Sequence, residues 1–160
     1  MKKTIIVAVF GSVLGLAGLL AGVQPSSKVE AMESPDRSIE GTWLTVVTPV
    51  NCETGSPLGQ AFPGILSFNK GGTMSGTSTV APSVFGVWSR SGGWENYTFA
   101  FTNLRYNSSG AFVGSQIVRQ TVTLGASGGT FASSGTVDTL DANGNKVGAG
   151  CANSTGVRFE

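Results

Sequence analysis

Histidine is absent from this sequence of 160 residues, and charged side chains make up only 12% of it. Histidine is the commonest general base and the commonest metal ligand in proteins. Its absence excludes Ser-His-Asp and Cys-His nucleophilic sites, and the scattered acidic residues form no obvious carboxylate pair for glycoside hydrolysis. We therefore predict no catalytic residue, no metal site and no cofactor, and we favour a function other than that of an enzyme.

Long apolar runs are absent too, apart from Thr4–Val23 near the start of the chain. Two lysines precede this run, and Val29-Glu30-Ala31 follows it with the small residues that signal peptidase reads. We expect residues 1–31 to be a cleaved signal peptide. A retained membrane anchor is the alternative, since roughly 20 apolar residues span a bilayer. The predicted location is secreted or periplasmic, with no stable membrane insertion after cleavage.

A basic surface is missing as well. Taking Lys2, Lys3 and Lys28 from the ten basic residues, and Glu30 from the nine acidic ones, leaves the chain from Met32 onward with a net charge near −1. Nucleic acid binding depends on clustered Lys and Arg side chains. We therefore expect no nucleic acid partner.

Cysteine is scarce, and its only two positions are Cys52 and Cys151. In an exported chain the oxidising surroundings favour a disulfide between them. Two buried free thiols are the alternative. A disulfide that closes so long a loop would lower the conformational entropy of the unfolded chain and so stabilise the fold by roughly 4–5 kcal/mol.

Helical periodicity does not occur after the first apolar run; short runs of Thr, Val, Phe and Ser alternate with Gly, Asn and Pro instead. Residues 32–40 are polar and predict a flexible leader, and residues 41–160 predict one β-barrel domain. Alternation and turn residues predict eight strands in that domain. They are Gly41–Val50, Gly64–Asn69, Thr73–Val80, Val84–Arg90, Tyr97–Tyr106, Phe112–Leu124, Thr130–Leu140 and Lys146–Phe159.

Two features predict that these strands close into a barrel. A Gly pair follows the second, fourth and sixth strands, and paired Gly suits tight hairpins. An up-and-down order puts these turns at one closed end and the varied loops at an open mouth. The residue numbers of Cys52 and Cys151, and of Trp43 and Arg158, have nearly equal sums, as antiparallel pairing of the first and last strands requires. The predicted fold is all-β, an eight-stranded antiparallel up-and-down barrel with one disulfide.

Gly41-Thr42-Trp43 in the first strand, together with Arg158 in the last, resembles the calycin superfamily of lipocalins, fatty-acid-binding proteins and avidins. The resemblance implies that Trp43 is a structural plug in the closed end and that Arg158 packs across it. It also implies that the long loop Asn51–Pro63 partly covers the mouth. The mid-chain Thr-Asp-Tyr segment of lipocalins is missing, as is avidin's set of biotin-contacting tryptophans, so biotin is not implied as a ligand.

The chain from Met32 onward is also similar to a group of small secreted bacterial proteins of unassigned function. The segments that carry this similarity are Gly86-Val87-Trp88, Gly150-Cys151-Ala152 and Arg158-Phe159-Glu160. The similarity implies export and names no ligand.

A row of aromatic side chains predicts a pocket wall, because residues two apart in a strand face the same side. We predict that five residues contact a small hydrophobic ligand: Phe68, Tyr97, Phe99, Phe101 and Gln116. Arg119 has the opposite parity to Gln116, so the two cannot both point inward. A core filled by these aromatic side chains is the alternative.

Three functions therefore remain open. The leading hypothesis is a lipocalin-like barrel that binds a small apolar ligand non-covalently. A structural or surface protein with a filled barrel is the second, since small residues on the last two strands permit close packing. The third is a shape-directed cyclase or isomerase resembling allene oxide cyclase, which needs an inward ionisable group; the candidates are Arg105, Arg119 and Glu160. Asp141–Asn145 resembles the start of a calcium loop but lacks its final acid, and we interpret it as a hairpin turn.

Overall fold

The computed structural model describes residues 37–159, which form eight β-strands and contain no α-helix. The strands are β1 (Gly41–Val50), β2 (Phe62–Asn69), β3 (Thr73–Ser78), β4 (Val84–Gly92), β5 (Asn96–Tyr106), β6 (Phe112–Leu124), β7 (Thr130–Leu140) and β8 (Lys146–Arg158). Each strand pairs antiparallel with its neighbours in sequence, and β8 pairs back with β1. The predicted up-and-down barrel is confirmed.

The β1–β8 ladder closes the sheet, and its register is the one that the sequence predicts. Trp43 faces Arg158 at one end of this ladder, and Val50 faces Cys151 at the other. At this end, the predicted disulfide joins Cys52, two residues after Val50, to Cys151, with 5.2 Å between the Cα atoms. The first and last strands are therefore held by hydrogen bonds along their length and by a covalent bond at the mouth.

Five strand limits differ from the prediction by one or two residues: the end of β4, the start of β5, the end of β8, the start of β2 and the end of β3. β2 begins at Phe62 instead of Gly64, because Pro63 fits into the ladder opposite Val46. β3 ends at Ser78, where a tight turn begins: the Ser78 amide donates to the Ala81 carbonyl at 2.8 Å, and the Ala81 amide donates to Oγ of Ser78. A local turn therefore ends the strand two residues earlier than alternation predicts.

The closed end of the barrel is filled by large apolar side chains. Trp43, Phe68, Tyr97 and Phe131 are all at most 3% exposed, and the Trp43 and Phe131 rings meet edge to face at 5.0 Å. Ile39, which the prediction places in the flexible leader, is fully buried among them. The barrel core therefore includes a residue that precedes the first strand.

The Arg158 side chain packs against the Trp43 ring at the edge of this core. Its guanidinium lies 4.4 Å from the centre of the Trp43 ring. It donates to the carbonyl oxygens of Glu40 at 2.6 Å, Ser38 at 2.5 Å and Gly128 at 3.1 Å. These bonds tie the residues before β1 and the β6–β7 turn to the end of β8, which explains how Ile39 is held in the core.

The segment Asp141–Asn145 forms the turn between β7 and β8. Oδ1 of Asp141 accepts hydrogen bonds from the backbone amides of Asn143 and Asn145 at 2.9 and 2.8 Å. Oδ2 accepts one from the Asn145 side chain. The carboxylate is thus occupied by the turn's own amides, as expected for a hairpin.

Acid is expected to weaken this turn. Hydrogen bonds, chiefly from the backbone and side chain of Asn145, hold the pKa of Asp141 below its ordinary value of 3.8. Because the folded pKa is the lower one, the stabilisation is complete above pH 3.8 and is lost as the pH falls through the folded pKa. We expect the stability of Asp141→Ala to fall less steeply in acid than that of the wild type, as measured by urea denaturation between pH 2 and 7. Equal slopes would contradict this.

The predicted signal peptide and most of the predicted leader, residues 1–36, lie outside the described residues, as does Glu160. Within residues 37–159 no helix is long and apolar enough to cross a bilayer.

Candidate ligand cavity

A cavity of about 490 Å³ occupies the half of the barrel nearer the mouth. All eight strands contribute to its wall. The inward positions of β8 explain the space, because they carry Gly150, Ala152 and Ser154 where the closed end has aromatic side chains. A Cβ atom added at Gly150 would meet nothing within 4 Å. The small residues of the last strand therefore leave the tube open rather than closely packed.

The predicted ligand-contacting residues divide into two groups. Phe99, Phe101 and Gln116 line the cavity. Phe68 and Tyr97 do not: both are 1% exposed and belong to the core of the closed end. All five side chains do point into the barrel, but Tyr97 lies one inward position closer to the Gly turns than Phe99. The structure therefore places Phe68 and Tyr97 on the inner face of the sheet, too deep to line the cavity.

Two buried amides in the wall were missed in the sequence analysis. Asn103 and Gln120 are 4% and 5% exposed, and both line the cavity. Asn103 lies opposite Gln116, and Gln120 opposite Phe99, in the β5–β6 ladder. Their positions in the strands indicate this orientation, because each is an even number of residues from a side chain that the sequence predicts to point inward.

These polar residues form a stripe along β5 and β6 that is interrupted by apolar side chains. Arg105 lies nearest the mouth and the Asn103–Gln116 pair one level deeper. Phe101 and Val118 form the next level, and Gln120 lies below them. The wall therefore presents polar groups at both ends and an apolar band between.

The outward-facing charges of the neighbouring strands take no part in the cavity. Arg119 donates to Asp138 at 3.0 Å, and Lys146 pairs with the same carboxylate at 2.5 Å. These contacts, that of Lys146 first, lower the pKa of Asp138. Of the ionisable groups considered for an isomerase, Arg105 lines the cavity and Arg119 faces solvent. Glu160 lies outside the described residues.

The rim of the mouth differs from what the resemblance implies. No residue between 51 and 61 lines the cavity. This loop is folded back along its own strand by a bridge between Val50 and Pro57 and by a 2.9 Å hydrogen bond from Leu58 to Pro49. Val80 and Ala81, in the turn between β3 and β4, line the cavity in its place.

No model of a known protein family matches this chain, and a search of curated proteins finds no match either. The closed eight-stranded barrel is consistent with a calycin-like fold. In the part of the chain that the structure describes, no group of His, Cys, Asp or Glu side chains is placed to hold a metal ion. The chemistry of the cavity is therefore the best guide to function.

Proposed function

We propose that this protein binds a small, largely apolar molecule non-covalently inside the barrel. The observation that carries the proposal is the cavity of about 490 Å³, which lies within the roughly 300–1,000 Å³ typical of ligand sites. The Phe99 and Phe101 rings are nearly parallel, with centroids 6.0 Å apart, and offer a continuous apolar surface. A filled barrel would leave no such space.

Binding in this proposal is driven by removing apolar ligand surface from water, at about 25 cal/mol per Å². The wall needs little ordering when the ligand enters, because its side chains stand on a closed sheet whose first and last strands are covalently linked at the mouth. The disulfide also supports a secreted or periplasmic location, where oxidising conditions preserve it.

Filling the cavity tests the proposal. The Gly150→Phe variant adds an aromatic ring where a Cβ atom meets open space, so we expect the fold to accept it and the ring to occupy the ligand's place. The measurement is the fluorescence titration of an apolar probe, N-phenyl-1-naphthylamine, with the wild type and the variant. We expect affinity for the probe to fall at least tenfold.

The matched control is Asn153→Phe, which adds the same ring to the exposed face of the same strand. It should bind the probe as the wild type does. Equal probe affinity in Gly150→Phe and the wild type would contradict binding in the barrel. Wild-type protein that binds neither this probe nor anything detectable by native mass spectrometry, after exposure to lipid extract, would favour a structural protein.

A further inference from the structure

The side-chain oxygen of Gln120, Oε1, is a hydrogen-bond acceptor without a partner. Nε2 of the same side chain donates to the Ala152 carbonyl across the barrel wall at 3.2 Å. Reversing the amide would set Oε1 against that carbonyl, acceptor against acceptor, so the donor and acceptor ends are assigned by their surroundings. Oε1 is buried and has no hydrogen-bond partner. A buried polar atom left unpaired is costly, and each one in a folded protein calls for an explanation.

Asn103 is a second amide on the same wall, and it lines the cavity. Its side chain is 4% exposed, and no hydrogen bond joins it to another group within residues 37–159. The side chain of its ladder partner Gln116 likewise makes no hydrogen bond within the described part of the chain, although the Gln116 backbone carbonyl accepts one from Oγ1 of Thr102. Neighbouring amides that do not bond to each other leave donors and acceptors available to a molecule in the cavity.

Arg105 supplies the charge at the mouth end. It follows Asn103 on the inward face of β5 and lines the cavity. It forms no ion pair within the described range, and no Asp or Glu of that range lines the cavity. The wall therefore carries a single cation and no carboxylate to neutralise it.

We propose that the cavity takes a slender organic anion with three parts: an acidic group at the mouth beside Arg105, an apolar middle against Phe101 and Val118, and a hydrogen-bond donor, O–H or N–H, at the buried end beside Gln120. The inference rests on the proposed function and specifies its ligand class. Asn103 and Gln116 bind the acidic group together with Arg105, because amide N–H groups and a guanidinium all donate to an anion. Gln120 receives the donor at the other end.

The spacing of these groups sets the ligand's length. Arg105 is six residues from Phe99, the ladder partner of Gln120. Six residues of extended strand span roughly 20 Å, and a hydrogen bond of about 3 Å at each end of the ligand takes up part of that span. An unbranched chain of about a dozen heavy atoms, at about 1.5 Å or less per bond, is of the right order.

Four compounds built on the same twelve-carbon chain test the inference on the wild-type protein: 12-hydroxydodecanoate, 12-methoxydodecanoate, dodecanoate and 1,12-dodecanediol. Each is measured by displacement of N-phenyl-1-naphthylamine. We expect 12-hydroxydodecanoate to bind at least tenfold more tightly than its methyl ether and than the diol, because only the hydroxy acid has both the donor and the anion. The methyl ether and dodecanoate lack the donor, so we expect them to bind equally within a few-fold.

Two variants test which residue binds each end of the ligand. Gln120→Leu should abolish the preference for the hydroxy acid over the methyl ether. Arg105→Met should abolish the preference for the hydroxy acid over the diol and leave the preference over the ether intact. The wild-type series remains decisive if Gln120→Leu does not fold, since it needs no variant.

The outcomes separate this inference from the proposed function. If the wild type binds the probe, three results overturn the ligand class and leave the binding function standing. These are equal affinities for the four compounds, no displacement of the probe by any of them, and a preference for the ether or the diol. Failure of the wild type to bind the probe or any of the four compounds overturns both.

Discussion

Replacing both Cys52 and Cys151 with alanine is expected to lower the free energy of unfolding by about 4–5 kcal/mol. The disulfide links positions 99 residues apart, so it strongly restricts the unfolded chain. It also lies next to the last pair of the β1–β8 ladder, the contact that closes the barrel. Urea denaturation of the double variant and the wild type at the same pH measures the difference.

A reductant provides the control for this experiment. Wild-type protein treated with dithiothreitol should approach the stability of the double variant, and the double variant should not respond to the reductant. A loss below about 1 kcal/mol would mean that the unfolded chain gains little freedom without the disulfide, and that barrel closure owes little of its stability to the covalent link.

Replacing Trp43 with alanine is expected to lower the free energy of unfolding by about 3–5 kcal/mol, the usual cost of truncating a buried large aromatic side chain. Trp43 is fully buried, and its indole N–H donates to the Ile39 carbonyl at 2.8 Å. Its ring also contacts Phe131 and the Arg158 guanidinium. The variant therefore loses packing, a buried hydrogen bond and the surface on which Arg158 lies.

Phe85→Ala is the matched control for the Trp43 variant. Phe85 is also an aromatic residue in a strand, but it is 65% exposed on the outside of the barrel. We expect its removal to change stability by no more than about 0.5 kcal/mol, as is usual for surface substitutions. Similar losses in the two variants would contradict the assignment of Trp43 as the plug of the closed end.

Strand number, strand order and the facing of side chains were predictable because they depend on short-range regularities. Alternation with a period of two assigns Gln116 inward and Arg119 outward, and the structure agrees. The same rule, continued along both strands from Phe101 and Gln116, places Asn103 and Gln120 on that inner face as well.

Ile39 shows why the beginning of the core was harder to predict. It is a single apolar residue in a polar segment, so no periodic pattern marks it. Its burial depends on Trp43 and on the hydrogen bonds that Arg158, more than a hundred residues later, makes to Ser38 and Glu40. A local pattern contains no information about such a distant partner.

From the order of residues alone it follows that this chain forms a closed antiparallel barrel whose ends meet at Trp43 and Arg158. Pleating and hairpin geometry, which fix side-chain facing and register, act over a few residues at a time. The depth at which the core ends and the cavity begins was decided only by the folded barrel. The depth of this boundary depends on how Phe68 and Tyr97 pack against side chains from other strands, and on the empty space beside Gly150. The closure of the sheet in three dimensions determines which side chains those are.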